Sequence, residues 1–195
     1  MHRTIAIVLS AALPVIAAPA AFAADAAQVT VDSLHDGLMA LMKSRSNHAA
    51  RERAIGPVID RTFDIPLMTR LAVGPSWTSI PAAQQAGLVR AFRNLTIAQY
   101  AKNFNSYSGE RFVMGQVDTR GGDKLVRTTL SSGRKSESLN YRLRQSGGQW
   151  KVIDVYYRNA ISQLATRRAD FARVMKTGGA PALITHLNRL AARAG

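Results

Sequence analysis

The sequence predicts an α+β protein in which helices are laid across a curved antiparallel sheet of about four strands. Apolar residues recur at helical spacing through the first half of the chain, alternate with polar residues between about residues 111 and 157, and return to helical spacing up to about residue 190. Glycine-rich pairs separate the alternating segments, as expected for the turns of an antiparallel meander. The order of helices, meander and helices is the basis of the fold class.

Residues 1–23 have the pattern of a secretory signal peptide. Met1-His2-Arg3 is a short basic start, residues 5–16 form an apolar run, and Ala21-Phe22-Ala23 is a small-x-small cleavage site. The apolar run is shorter than the roughly 18 to 20 residues that span a bilayer. We therefore expect residues 24–195 to form one soluble domain. With no cysteine in the chain, its fold depends on packing alone, and a Gram-negative periplasm is the expected compartment.

The predicted domain is strongly basic. Removal of Arg3 with the signal peptide lowers the formal charge from +14 to +13. Such a charge favours anionic partners, and export leaves acidic polymers and phospholipid surfaces rather than nucleic acid. The alternative is that arginine and lysine only solvate the surface and keep the protein soluble.

Four helices are predicted before the sheet, from apolar periodicity and from the residues typical of helix ends. Gly56-Pro57 should end or kink the second helix, because proline lacks a donor and clashes with the preceding turn. Asp64 should cap the third helix, which makes its carboxylate structural, and Gly74-Pro75 should mark its end. The predicted ranges are residues 29–43, 49–59, 64–71 and 81–107.

Four strands and two helices are predicted after residue 109. The third strand alternates, with Leu139, Tyr141 and Leu143 on one face and polar residues on the other, so one face should be buried. Gly178-Gly179 should separate the two final helices, and Pro181 should open the last one. The predicted strands are residues 111–118, 124–130, 137–145 and 149–157, and the predicted helices are residues 162–176 and 181–190.

No pattern in the sequence indicates catalysis, a metal or a cofactor. His35, His48 and His186 are widely spread, without partners at the spacing of metal ligands or of a catalytic triad. Asp154 is the one carboxylate inside an apolar segment. It could act as a general base with a raised pKa, or it could be held by an ion pair or hydrogen bond with an arginine.

Short motifs occur in a fixed order along the chain. They are Phe63-Asp64-Ile65-x-x-Met68, Leu71-Ala72-Val73-Gly74-x-x-Trp77, Ala91-Phe92-Arg93-x-Leu95, Tyr100-Ala101, Tyr107-Ser108-Gly109, Tyr141-Arg142-Leu143, Trp150-Lys151-Val152-x-Asp154-Val155 and Gly178-Gly179. In this order they resemble the MlaC, or toluene-tolerance, family of periplasmic lipid-binding components of ABC-transporter systems. The resemblance extends from about Val29 to Leu190, and its specificity lies in the order of the motifs.

The resemblance implies a strongly curved, helix-covered sheet enclosing an apolar cavity, with lipid tails inside and the head group near the mouth. It also implies transfer of a phospholipid or hopanoid between an outer-membrane lipid complex and an inner-membrane ABC transporter complex, with transient membrane contact and no covalent chemistry. Residues 161–168 look more like the hopanoid-associated HpnM branch. At Asn159-Ala160 the chain departs from the family, which usually has a glycine there.

A two-chain lipid requires about 30 methylene groups to be hidden from water, on the order of 24 kcal/mol at about 0.8 kcal/mol each. A surface groove cannot supply that, so we expect apolar residues beyond the core to line a cavity. The predicted lipid-binding residues are Phe92, Leu95, Tyr100, Phe104, Val126, Leu130, Tyr141, Leu143, Trp150, Val152 and Val155. The candidates for a basic rim are Arg90, Arg93, Arg142, Arg144, Arg158, Arg167 and Arg168.

Two other functions remain open at this point. One is an enzyme with a cone-shaped α+β pocket that uses Asp154 as acid or base. The other is a basic periplasmic interaction module that binds acidic polymer and has no internal ligand.

Overall fold

A computed structural model describes residues 24–195, so the predicted signal peptide lies outside the described residues. Five α-helices and a five-stranded antiparallel sheet follow one another in the predicted order of helices, meander and helix, which confirms the α+β class. The elements are α1 Ala26–Lys43, α2 His48–Thr62, α3 Ile65–Val73, α4 Ala82–Asn103, β1 Arg111–Arg120, β2 Asp123–Ser132, β3 Lys135–Ser146, β4 Gln149–Tyr157, β5 Ile161–Ser162 and α5 Gln163–Ala192. A 3₁₀-helix over Gly74–Ser79 joins α3 to the segment before α4.

Polar side chains cap the starts of the first three helices. Asp25, Asn47 and Asp64 accept hydrogen bonds from the backbone N–H groups of Ala27, Ala50 and Leu67, at 2.9, 2.9 and 3.0 Å. Each bond satisfies one donor that the first turn of a helix leaves without an intrahelical partner. The predicted capping role of Asp64 is confirmed.

Two helix boundaries differ from the prediction. Helix α2 continues through Pro57 to Thr62, because Ile55 and Ile59 are both buried and hold the helix against the core on either side of the proline. Helix α4 ends at Asn103, several residues earlier than predicted. Phe104 leaves the helical conformation and stacks its ring on Tyr100, with 5.7 Å between ring centroids.

Helix α5 contains the predicted break. Gly179 adopts φ 61° and ψ −160°, a conformation that interrupts the helix and separates its two halves. Pro181 follows at the start of the second half, where a missing N–H costs little. The two predicted helices are therefore two segments that meet at Gly179.

The sheet is a meander in which each strand pairs with its neighbours in the chain, in the order β1-β2-β3-β4-β5. The four predicted strands are present. The fifth, β5, is only two residues long and pairs Tyr156 and Tyr157 of β4 with Ser162 and Ile161, which is too short for a sequence pattern to predict. The chain before α3 also touches β4, where the Asp64 backbone N–H donates to the Val152 carbonyl at 3.0 Å.

The core lies between the helices and the inner face of the sheet. Val126, Tyr141, Leu143 and Val152 of the strands are fully buried in it. Helices α1, α2, α3 and α5 all contact β4, which places this strand under the helical layer. Within residues 24–195, no helix is both long and apolar enough to cross a membrane.

Candidate functional site

A cleft of about 550 Å³ opens between α3, α4, the first turns of α5 and strands β2, β3 and β4. Most of its surface is apolar, and polar side chains from α4 and α5 share the lining. Its volume is in the range of about 300–1,000 Å³ that is typical of small-molecule sites.

Helix α4 supplies one wall through a regular stripe of side chains. Phe92, Thr96, Tyr100 and Phe104 follow one another at intervals of four residues, and all four line the cleft. Residues four apart lie on the same face of a helix, so this spacing produces a continuous wall. Thr96 does not expose an unpaired hydroxyl, because its Oγ1 donates to the Phe92 carbonyl at 2.9 Å.

Aromatic contacts hold this wall in place. Tyr100 meets Phe63 edge-on with centroids 5.6 Å apart, and Phe92 meets Phe171 in the same manner at 5.7 Å. Phe104 lies 6.4 Å from Phe112 of β1, which ties the end of α4 to the sheet. Burial raises the pKa of the Tyr100 hydroxyl, so the group stays protonated and neutral.

The opposite wall consists of residues from the sheet. Leu130 of β2, Leu139 of β3 and Val155 of β4 reach the cleft from successive strands. Leu130 and Leu139 are only half-buried, in contrast to the fully buried leucines of the core. This partial exposure marks the part of the inner sheet face that the helices leave uncovered.

The structure places the eleven predicted lipid-binding residues in three environments. Phe92, Tyr100, Phe104, Leu130 and Val155 line the cleft. Five others are fully buried in the core and do not line it, namely Leu95, Val126, Tyr141, Leu143 and Val152.

Trp150 lies elsewhere, beside the start of α1. Its carbonyl accepts a hydrogen bond from Thr30 Oγ1 at 2.8 Å, and the Lys124 ammonium lies 4.8 Å from its ring centroid. It lines a separate surface depression together with residues of α1 and α2. The alternation of apolar and polar residues along β4 could not predict the environment of Trp150, because that environment depends on which helix packs against each end of the strand.

Several lining residues were not among the predicted ones. Phe63 and Met68 belong to the motif that opens α3, and Leu139 shares the predicted buried face of β3. Gln99, Asn103 and Gln163 add polar groups. The interval of four residues from Phe92 onward was the one sequence signal that could have located the α4 part of the site.

Four of the seven arginines predicted for a basic rim form ion pairs with acidic side chains. Arg93 pairs with Asp60 at 2.6 Å, Arg158 pairs with Glu137 at 3.0 Å, and Arg142 and Arg144 both bind Asp123, at 2.5 and 2.6 Å. Arg90 and Arg168 are exposed.

Of the seven candidates, only Arg167 lines the cleft. It donates a hydrogen bond from Nη2 to the Gln99 side-chain oxygen. Desolvation lowers the pKa of its guanidinium.

Asp154 has a structural role at the start of α5. Its carboxylate accepts hydrogen bonds from the Ser162 hydroxyl at 2.6 Å, from the Leu164 backbone N–H at 2.9 Å and from the Val155 backbone N–H at 2.8 Å. The expectation of an arginine partner is wrong, since the ion pairs of residues 24–195 do not include Asp154. The carboxylate holds β4, β5 and α5 together.

The three histidines of residues 24–195 lie in different parts of the fold. His35 is buried beside Tyr141, His48 contacts Glu52 at 3.1 Å, and His186 contacts Asp170 at 2.8 Å. In the part of the chain that the structure describes, no group of three or more histidine, cysteine or acidic side chains could hold a metal ion.

Comparisons with known proteins place the chain in a family. Curated protein sequences give no significant match. The fold is similar to the solved structure of a phospholipid-binding protein from Ralstonia solanacearum in complex with a phospholipid, with a TM-score of 0.77 and 25% sequence identity over 86% of this chain and 98% of that chain. Residues 29–189 match the family described as MlaC protein. The chain therefore belongs to the MlaC family, as the order of its motifs predicts.

Proposed function

We propose that the protein is a periplasmic carrier that binds the apolar tails of a phospholipid in the cleft between α3, α4, the start of α5 and the sheet. Family membership makes it a lipid-binding carrier and not an enzyme. The observation that carries the proposal is the apolar stripe of α4 facing half-buried leucines of the sheet across an open cleft. A relative of the same fold was solved with a phospholipid bound.

The proposal includes a curved sheet that shelters the tails and a polar end that stays at the mouth of the cleft. Phe92, Tyr100, Phe104, Leu130 and Val155 would contact the tails directly. The five predicted residues that are fully buried would support the walls, and they or Trp150 would contact lipid only if the cleft widens on loading.

The proposal also includes the route of transport. The family is periplasmic, and a signal peptide over residues 1–23 would export the chain. The carrier would move lipid between an outer-membrane complex and an inner-membrane ABC transporter complex. The likeness of residues 161–168 to the HpnM branch keeps a hopanoid as an alternative ligand.

Lipid loading can be tested with two leucines of one strand. Leu130 and Leu125 both lie half-buried on β2, but Leu130 lines the cleft and Leu125 lies in a separate depression with Arg120 and Arg127. Leu130→Arg puts a charge where the tails would lie, and removing a charge from water costs several kcal/mol. We expect loading to fall by about tenfold or more in Leu130→Arg, because about 1.4 kcal/mol corresponds to a factor of ten. Loading should be nearly unchanged in Leu125→Arg.

The measurement is lipid uptake from phospholipid vesicles by the purified protein, with native mass spectrometry to identify the bound lipid. Circular dichroism should establish that both variants are folded. Absence of lipid after purification and no uptake by the unmodified protein would refute the proposal. Equal loading of folded Leu130→Arg and unmodified protein would remove this cleft as the site.

A further inference from the structure

The guanidinium of Arg167 lines the cleft and forms no ion pair with a carboxylate of residues 24–195. Arg167 lies on α5, one turn after Gln163, lines the cleft and contacts Gln99 of α4. No ion pair of residues 24–195 includes it. Residues 1–23 contain no Asp or Glu that could supply a partner.

Asp170, which follows Arg167 on α5, and Glu137, which lines the cleft, are already bound to other cations, and Asp170 acts on Arg167 only through a longer-range attraction. Asp170, one turn further along α5, binds His186 at 2.8 Å and Arg173 at 2.6 Å. Glu137 also lines the cleft, but its carboxylate receives two hydrogen bonds from Arg158, at 3.0 and 3.1 Å. Arg167 in the cleft therefore has no counter-ion, whereas the Glu137 carboxylate in the same cleft is already paired with Arg158.

A partly buried cation without a partner is costly. Desolvation disfavours the charged form, and buried charges in proteins are normally paired. Burial lowers the pKa of this guanidinium, which reflects that cost, although arginine remains protonated in proteins. A bound anion would offset the desolvation and would complete the site.

The side chain is also held in position. Nη2 donates to the Gln99 side-chain oxygen, and the guanidinium makes no other hydrogen bond to the described residues. Its remaining N–H groups are free to bind a ligand, and a planar guanidinium matches phosphate with two parallel hydrogen bonds. Asn103 and Gln163 add amide donors to the same cleft.

We propose that Arg167 binds the phosphate of a glycerophospholipid whose tails occupy the cleft, and that Gln99 orients the guanidinium for this contact. The inference rests on the proposed function and makes it more specific. It predicts that Arg167 makes the cleft discriminate against a neutral diacylglycerol or an uncharged hopanoid with equally apolar tails. Arg167 is then the residue that selects the head group.

The test compares two lipids with identical tails, dioleoyl phosphatidylglycerol and dioleoylglycerol. Each is offered in vesicles of dioleoyl phosphatidylcholine, and this host lipid is isotopically labelled so that its mass differs from that of the test lipid. The variants are Arg167→Gln, Arg167→Lys and the neighbouring control Arg168→Gln. Arg168 is exposed and lines a separate depression together with Arg142 and Arg144. Uptake is measured by native mass spectrometry, and folding is checked by thermal unfolding.

Loss of a hydrogen bond to a charged group costs about 1.5–3 kcal/mol, which corresponds to about 10-fold to 100-fold. We expect Arg167→Gln to weaken uptake of the phosphatidyl lipids by about tenfold or more. Uptake of dioleoylglycerol should not fall, because the competing phosphatidylcholine of the vesicles loses the same contact. Arg167→Lys should keep part of the preference, because lysine retains the charge but not the paired donors. Arg168→Gln should behave like the unmodified protein.

Three results would overturn the inference. They are unchanged selectivity in Arg167→Gln, equal loss of both lipids in a folded variant, and an equal effect of Arg168→Gln. If Arg167→Gln does not fold, the lipid preference of Arg167→Lys is the deciding measurement. A reduced preference for the phosphatidyl lipid supports the inference, and an unchanged preference contradicts binding by the paired donors of the guanidinium. Unmodified protein that takes up both lipids equally refutes only this inference, whereas unmodified protein that takes up neither refutes the proposed function as well.

Discussion

At the scale of single residues, His35 is a titratable group whose environment in the fold differs strongly from that in the unfolded chain. Its ring stacks on Phe112 at a centroid distance of 3.9 Å, and Nε2 lies 3.2 Å from the Tyr141 hydroxyl. The side chain is buried, and desolvation lowers its pKa from 6.5 to about 4. The folded protein therefore holds a neutral imidazole under conditions in which the unfolded chain would be protonated.

We expect this shift to make stability depend on pH. Above pH 6.5 both states are neutral at His35, so it contributes no pH dependence. As the pH falls from 6.5 towards 4, the unfolded chain binds a proton first, and the free energy of unfolding decreases by on the order of 3 kcal/mol. Below about pH 4, His35 is protonated in both states, and its contribution to the free energy of unfolding no longer changes with pH.

His35→Phe removes the titrating group and keeps a ring against Phe112. It should be less stable near neutral pH by about 1–3 kcal/mol, because the buried Tyr141 hydroxyl loses its partner. Its stability should fall less steeply on acidification. Urea unfolding at several pH values measures both effects, and parallel pH curves for the two proteins would contradict the assignment.

At the scale of elements, α5 shows how one glycine sets the direction of a helix. The Gly179 conformation, φ 61° and ψ −160°, is one that side chains with a Cβ rarely adopt. The helical segment after it buries Leu183 and Leu187, and Ile184 packs closely against Gly87 of α4. The break therefore allows both halves of α5 to pack on the same core.

Gly179→Ala should destabilise the protein by about 1–3 kcal/mol, because alanine is strained in this conformation. Gly122→Ala is the matched control. It lies in the exposed β1–β2 turn, where an added Cβ would meet nothing within 4 Å, and it should change stability by less than about 0.5 kcal/mol. Chemical denaturation gives both values. Equal stability of the two variants would show that α5 adjusts without strain.

At the scale of the whole molecule, the formal charge of +13 on residues 24–195 should govern encounters with membranes. Raising the ionic strength from about 0.01 M to about 0.15 M shortens the Debye length from about 30 Å to about 8 Å. We expect lipid pickup from anionic vesicles to slow several-fold over this range, and pickup from zwitterionic vesicles to change little. Stopped-flow transfer of a fluorescent lipid measures both rates. Equal slowing for both vesicle types would exclude electrostatic steering.

The positions of most elements could be predicted because they depend on local chemistry. Asp64 caps α3, Gly179 breaks α5, and the alternation of β3 places Tyr141 and Leu143 in the core. The prediction was less successful where tertiary contacts override local signals. Pro57 lies inside α2, and Phe104 leaves α4 early to stack on Tyr100.

The fold class, the family and the apolar character of the inner sheet face could be predicted from the sequence, because periodicity and motif order are properties of the chain. The tertiary structure decided which apolar residues surround an open cleft and which fill the core. Leu130 and Leu143 are both apolar strand residues, yet only Leu130 lies where the helical layer leaves space. The packing also brings Arg167, among many arginines, into the lining of this cleft without an ion-pair partner among residues 24–195. The cleft forms between elements that are distant in the chain, so no local pattern encodes it.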